Sequence, residues 1–89
     1  MSKILILEDD TSFAQMLKKF LERNGFDIVV SQTGLDGEKQ LKEQNFQLVI
    51  TDLRLPDYDG IKLVSQLKDR IPVIVMTGYA EVSTAVKAM

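Results

Sequence analysis

Chemistry in this chain must rest on carboxylates, hydroxyls, amines and backbone groups, because it contains neither histidine nor cysteine. That removes Ser-His-Asp and Cys-His nucleophilic catalysis, histidine or thiolate metal clusters, phosphohistidine and disulfides. The acids stand out by their placement. Glu8-Asp9-Asp10 follows the apolar run Ile4-Leu5-Ile6-Leu7 directly, and Asp52 follows Leu48-Val49-Ile50-Thr51. A hydroxyl with a small neighbour, Thr77-Gly78, follows a further run, Val73-Ile74-Val75-Met76. If these points converge, each pair of carboxylates ~4 Å apart repels by about 4 kcal/mol at an effective dielectric of roughly 20. A cation relieves that repulsion, and hard oxygen donors suit Mg²⁺, which takes one or two carboxylates together with water and phosphate oxygens. Mg²⁺ beside a carboxylate points to phosphoryl chemistry, in which the carboxylate is itself the nucleophile and forms an aspartyl phosphate. Asp52 is the central candidate.

Periodicity indicates the elements that must position these residues. Residues 4–7, 26–30, 48–50 and 73–76 are short apolar runs that read as strands, and the first, without polar alternation, has the pattern of a strand buried on both faces of a parallel sheet. Phe13, Met16, Leu17, Phe20 and Leu21 recur at helical spacing up to the stop Asn24-Gly25, and that stripe is predicted to be core. Capping residues within 31–34 precede a more polar helix carrying Leu35 and Leu41. Ile61, Val64 and Leu67 mark a third helix stopped by Pro72, and Val82, Ala85, Val86 and Met89 mark a fourth. Pro56-Asp57-Tyr58-Asp59-Gly60 predicts a loop in which Asp57, Asp59 and Gly60 are turn residues without chemistry. The order is (βα)₄, with right-handed crossovers and helices on both faces of the sheet. In such sheets the working site lies beyond the carboxyl ends of the strands, where Glu8, Asp9, Asp52 and Thr77 stand.

Composition bounds the function. A chain of 89 residues with 45% hydrophobic and 27% charged content forms one domain, residues 1–89. The net charge is −2 and the Lys and Arg residues are scattered, so no stripe marks a nucleic-acid or membrane surface. The N-terminal apolar run is too short for a signal peptide or a membrane span, and a soluble, intracellular protein is expected. Nothing resembles GxxxxGK[ST] or GxGxxG after the first strand, which removes those classes of nucleotide binding. Plainer readings remain open: the acidic triplet as a helix cap, with Asp10 the best capping residue, Asp52 as the start of a loop, and Thr77 as an ordinary strand-end hydroxyl.

Three stretches together resemble the response-regulator receiver domains of two-component signalling, over essentially the whole chain. They are Ile6-Leu7-Glu8-Asp9-Asp10, the segment from Leu48 through Thr51-Asp52-Leu53-Arg54-Leu55-Pro56 to Gly60, and Pro72-Val73-Ile74-Val75-Met76-Thr77-Gly78. The resemblance implies an α/β, flavodoxin-like parallel sheet with strand order 2-1-3-4, from the family's 2-1-3-4-5. It implies that Asp52 is the phospho-acceptor, Asp9 the acid that binds Mg²⁺ directly, and Glu8 a second acid acting through water. Arg54 stands where the family gives a backbone carbonyl to the metal, and Thr77 resembles the hydroxyl that turns toward the phosphoryl group. The implied partner is a histidine kinase or phosphotransfer protein. The chain would then be a phosphoryl acceptor that assists its own chemistry and switches an output domain, rather than an enzyme, and it would work in the cytoplasm. Residues 77–89 further resemble receivers attached to enhancer-binding transcription activators. The family's last strand, with its lysine and switch aromatic, and its last helix would follow Met89, so truncation is expected to expose a strand edge and apolar sheet that favour a homo-oligomer. The alternative is a fragment serving only as a folding and self-association unit without efficient phosphorylation.

Overall fold

The computed structural model describes residues 2–67 and 69–76, with the backbone but not the side chains of Arg54 and Ile61. The elements run β1 (Lys3–Leu7), α1 (Thr11–Arg23), β2 (Asp27–Ser31), α2 (Gly34–Glu43), β3 (Leu48–Asp52), β4 (Arg54–Leu55), β5 (Tyr58–Asp59), α3 (Gly60–Leu67) and β6 (Val73–Met76). An apolar strand whose alternate side chains point to opposite faces must be covered on both. β1 is that strand: Leu5, Ile6 and Leu7 are fully buried, and it pairs in parallel with β2 on one side and β3 on the other. β6 adds in parallel to the far side of β3, giving the order β2-β1-β3-β6. This is the predicted 2-1-3-4 arrangement, with β6 as the fourth long strand.

The strand faces sort the helices. Ile4, Ile6, Ile28 and Ile50 form one apolar layer against Leu17 and Leu21 of α1. Leu5, Leu7, Val49, Val73 and Val75 form the other, against Leu41 of α2 and Leu63, Val64 and Leu67 of α3. Gly37 is required on α2 because a Cβ there would run into the fully buried Leu7 side chain.

Local signals set the helix ends. Asp10 caps α1, its Oδ1 accepting the Phe13 N–H at 3.1 Å, and Thr33 caps α2, its hydroxyl accepting the Asp36 N–H at 3.1 Å. Asn24 closes α1, and Gly25 turns the chain out with φ +91°, a conformation glycine adopts without a Cβ penalty.

Two expectations need correction. Phe13, Met16 and Phe20 are not core but 38%, 60% and 60% exposed, while Ala14 is buried and Leu17 and Leu21 pack on the sheet. At about 100° per residue the three exposed side chains share one flank of the apolar stripe. Phe13 shares a cleft with Met76, so that flank lies toward β6, where Ile74 is also 41% exposed. The segment after Asp52 is not a plain loop either. Arg54–Leu55 and Tyr58–Asp59 pair as a small antiparallel hairpin turned by Pro56 and Asp57, and Leu55 is buried in the core. The predicted fourth helix, Thr77 and Gly78 lie outside the described residues. Among the described residues no helix is long and apolar enough to cross a membrane.

If Asp10 is a cap rather than an ion ligand, Asp10→Ala lowers stability in urea by about 1 kcal/mol. Asp10→Asn, which keeps an acceptor oxygen, retains most of that stability.

Candidate metal centre

Parallel register carries the acids to one place. Leu7 pairs with Thr51, so the residues that follow, Glu8 and Asp52, emerge side by side from β1 and β3. Asp52 pairs with Met76 on its other flank. Main-chain bonds hold both exits: the Glu8 N–H donates to the Ser31 carbonyl at 3.0 Å, and the Leu53 N–H to the Met76 carbonyl at 2.8 Å. Asp9 stands in the turn between β1 and α1.

Glu8, Asp9 and Asp52 each offer a carboxylate oxygen, and these oxygens lie within 4.8 Å of one another. Glu8 is buried, Asp52 half-buried and Asp9 exposed. The cleft they line with Asp10, Phe13 and Met76 has a volume of about 370 Å³. That admits an ion with its waters, each of which occupies about 30 Å³ in the liquid. The donors are all oxygens, as a hard divalent cation requires. Among the described residues this is the one cluster of three such groups.

Electrostatics makes the same point. Burial pushes the Glu8 carboxyl up to about 7. Its bond from the Asp10 N–H, at 3.1 Å, opposes that rise, while a hydrogen bond with Asp9 and the negative charges of Asp52 and Asp9 add to it. Without a cation, the Glu8 carboxyl therefore loses its proton near neutral pH rather than in the ordinary glutamate range.

Of the residues singled out in the sequence, the structure therefore gathers Glu8, Asp9 and Asp52. Arg54 is two residues beyond Asp52, in β4. Thr77 follows Met76 in sequence, outside the described residues. Asp10 lines the cleft, but its Oδ1 is engaged by the Phe13 N–H.

Residues 4–89 match the response regulator receiver domain. The chain belongs to that family. It is 36% identical over 89 residues to the transcriptional regulatory protein ZraR of Escherichia coli (strain K12), with 97% of this chain and 20% of ZraR covered. The chain thus spans about a fifth of that relative's length. The structure of the beryllofluoride-activated NtrC4 receiver domain dimer is similar at a TM-score of 0.87 and 34% identity, over 99% of this chain and 75% of that one. A Burkholderia pseudomallei response regulator, solved with a phosphorylated aspartic acid, a calcium ion and citrate, gives a TM-score of 0.85 at 30% identity, over 99% of this chain and 54% of that one. The flavodoxin-like receiver fold anticipated from the sequence is the observed one.

One turn residue at this end of the receiver domain does more than turn the chain. Asp57, expected to be a turn residue without chemistry, accepts hydrogen bonds from the Gly34 N–H at 2.7 Å and the Leu35 N–H at 3.0 Å. Those bonds hold its carboxyl below the usual carboxylate range. No local pattern announces the contact, because its partners are 23 and 22 residues away.

Glu8 generates a pH dependence. Between its ordinary 4.5 and about 7 the folded chain binds a proton that the unfolded chain has released. Its contribution is complete below 4.5 and is lost as pH rises through about 7. Without divalent ions, the melting temperature of the wild type should fall relative to that of Glu8→Gln between about pH 5 and about pH 7.5. Parallel melting curves of the two proteins across this interval would refute the assignment.

Proposed function

We infer that this receiver domain accepts a phosphoryl group on Asp52 from a phosphohistidine of a histidine kinase or phosphotransfer protein, with Mg²⁺ in the acidic cleft. The observation that carries the reading is the convergence of Glu8, Asp9 and Asp52 within 4.8 Å. Support also comes from the B. pseudomallei relative, whose structure holds a phosphorylated aspartic acid and a divalent ion.

On this reading an Asp52 carboxylate oxygen attacks phosphorus. The P–O bond forms as the P–N bond breaks, and the imidazole nitrogen leaves with the electron pair. Asp9 would hold the ion directly, Glu8 through water, and Arg54 through its backbone carbonyl. When bound, Mg²⁺ supplies positive charge to the phosphoryl oxygens and screens the acids from one another. The half-buried Asp52 is reached through the open cleft it shares with Asp9, so a donor approaches from the carboxyl end of the sheet. The Thr77 hydroxyl would then turn to the phosphoryl group and pass the change to an output domain. In this role the chain is a phosphoryl acceptor working in the cytoplasm, not a turnover enzyme.

The alternative of a unit that only folds and self-associates is not favoured, since it leaves the acidic trio without a purpose. The homo-oligomer expected through an exposed strand edge and apolar sheet face finds no support in these observations. The NtrC4 receiver dimer is a property of that protein.

Incubation with Mg²⁺ and acetyl phosphate should add one phosphoryl group by intact-mass spectrometry, and Asp52→Asn or chelation should abolish the gain. Asp9→Asn should weaken Mg²⁺ binding by at least the ~10-fold that loss of even an outer-shell partner costs. Unchanged modification of Asp52→Asn would overturn the assignment.

A further inference from the structure

The segment that leaves the acceptor strand is clamped to a different helix. After β3 ends at Asp52, the chain forms the β4–β5 hairpin, and Arg54 pairs there with Asp59 while Leu55 pairs with Tyr58. The near end of this hairpin is tied to β6 by the Leu53 N–H, and its middle is anchored by buried Leu55. Its tip is tied to α2, where the Asp57 carboxylate takes the Gly34 and Leu35 N–H groups that begin the helix. Those donors have no partner within the helix, and a negative charge facing them is favoured by the helix dipole.

A second contact presses on the same spot from the side. Tyr58 packs so closely on α2 that a Cβ at Gly34 would collide with the Tyr58 Cβ and ring. The Tyr58 hydroxyl donates to the Gln66 side chain of α3 at 2.7 Å. The hairpin is thus wedged between α2 and α3, with a bare glycine where it touches α2.

The geometry points to Asp57 as a positioning residue: by gripping the first turn of α2, it fixes the hairpin that carries the Arg54 backbone, and so the ion site beside Asp52. The inference rests on the reading of Asp52 as phospho-acceptor with Arg54 as a carbonyl donor to the ion. Asp57 acts through the hairpin and touches neither ion nor phosphoryl group. Gly34 enters the same device from the helix side, because any side chain there would push the hairpin off.

Three variants test it: Asp57→Ala removes the grip, Gly34→Ala displaces the hairpin from the opposite element, and Asp57→Asn keeps the size and one acceptor oxygen. Mg²⁺ affinity by calorimetry and acetyl-phosphate modification are measured where circular dichroism shows each chain folded. Asp57→Ala and Gly34→Ala should each weaken Mg²⁺ binding by about 10-fold and slow modification in parallel, the size of effect expected when an outer-shell support is lost. Asp57→Asn should recover most of both. A lowered urea midpoint with wild-type Mg²⁺ affinity and modification rate would overturn the inference. If Asp57→Ala does not fold, Gly34→Ala decides alone: a roughly 10-fold loss of Mg²⁺ affinity supports the clamp and wild-type affinity refutes it.

Amide spectra of the metal-free chain separate this inference from the reading beneath it. If the wild type neither binds Mg²⁺ nor is modified at Asp52, the acceptor reading fails. The clamp still stands if Asp57→Asn shifts the amides of residues 52–55 as well as those of Gly34 and Leu35, and falls if the shifts stay within α2.

Discussion

Three carboxylates held together at one end of a buried sheet repel one another, and the behaviour of that end of the domain follows from their confinement. The confinement is a matter of register. β1 and β3 pair so that Leu7 faces Thr51, and their next residues, Glu8 and Asp52, cannot move apart without breaking the ladder. The exits are tied as well, Glu8 to Ser31 of β2 and Leu53 to Met76 of β6. Relief must therefore come from a proton or a cation. Burial raises the Glu8 carboxyl to about 7, and the exposed Asp9 leaves the cleft open to an ion.

Other acids near this end are withdrawn from that competition by N–H donors. Asp10 accepts from Phe13 at the start of α1, and Asp57 accepts from Gly34 and Leu35 at the start of α2. Each stands where a helix leaves N–H groups without internal partners, the usual place for a carboxylate in a folded chain. The trio differs in kind. Glu8 accepts one main-chain N–H, from Asp10, but it also faces two other carboxylates, which no cap supplies with countercharge. This sorting divides the neighbouring acids Glu8, Asp9 and Asp10 into one helix cap and two members of the acidic trio.

The layers behind the site keep the trio in place. Isoleucines face α1 on one side of the sheet, and leucines and valines face α2 and α3 on the other, so β1 and β3 are locked from both faces. The hairpin after Asp52 adds a further constraint, because Leu55 is buried beneath it and Tyr58 sits against Gly34. Change in the conformation after Asp52 is thereby coupled to α2 and α3 through packing as well as hydrogen bonds.

The four long strands, the first three helices and the acids at the strand ends were legible in the sequence because each depends on neighbours within a few residues. Apolar runs mark doubly covered strands, and an Asp or Thr three residues before a helical N–H marks a cap. The extent of burial on α1 was not legible. Periodicity identifies the apolar side of a helix but not how far the sheet beneath it reaches, so Phe13, Met16 and Phe20 read as core although they are exposed. The sequence alone determined which groups could do chemistry and which strand ends carry them. Only the tertiary structure decided that burial raises the Glu8 carboxyl and that Asp57 grips α2, because burial and contact both depend on segments that the chain brings together from more than 20 residues apart.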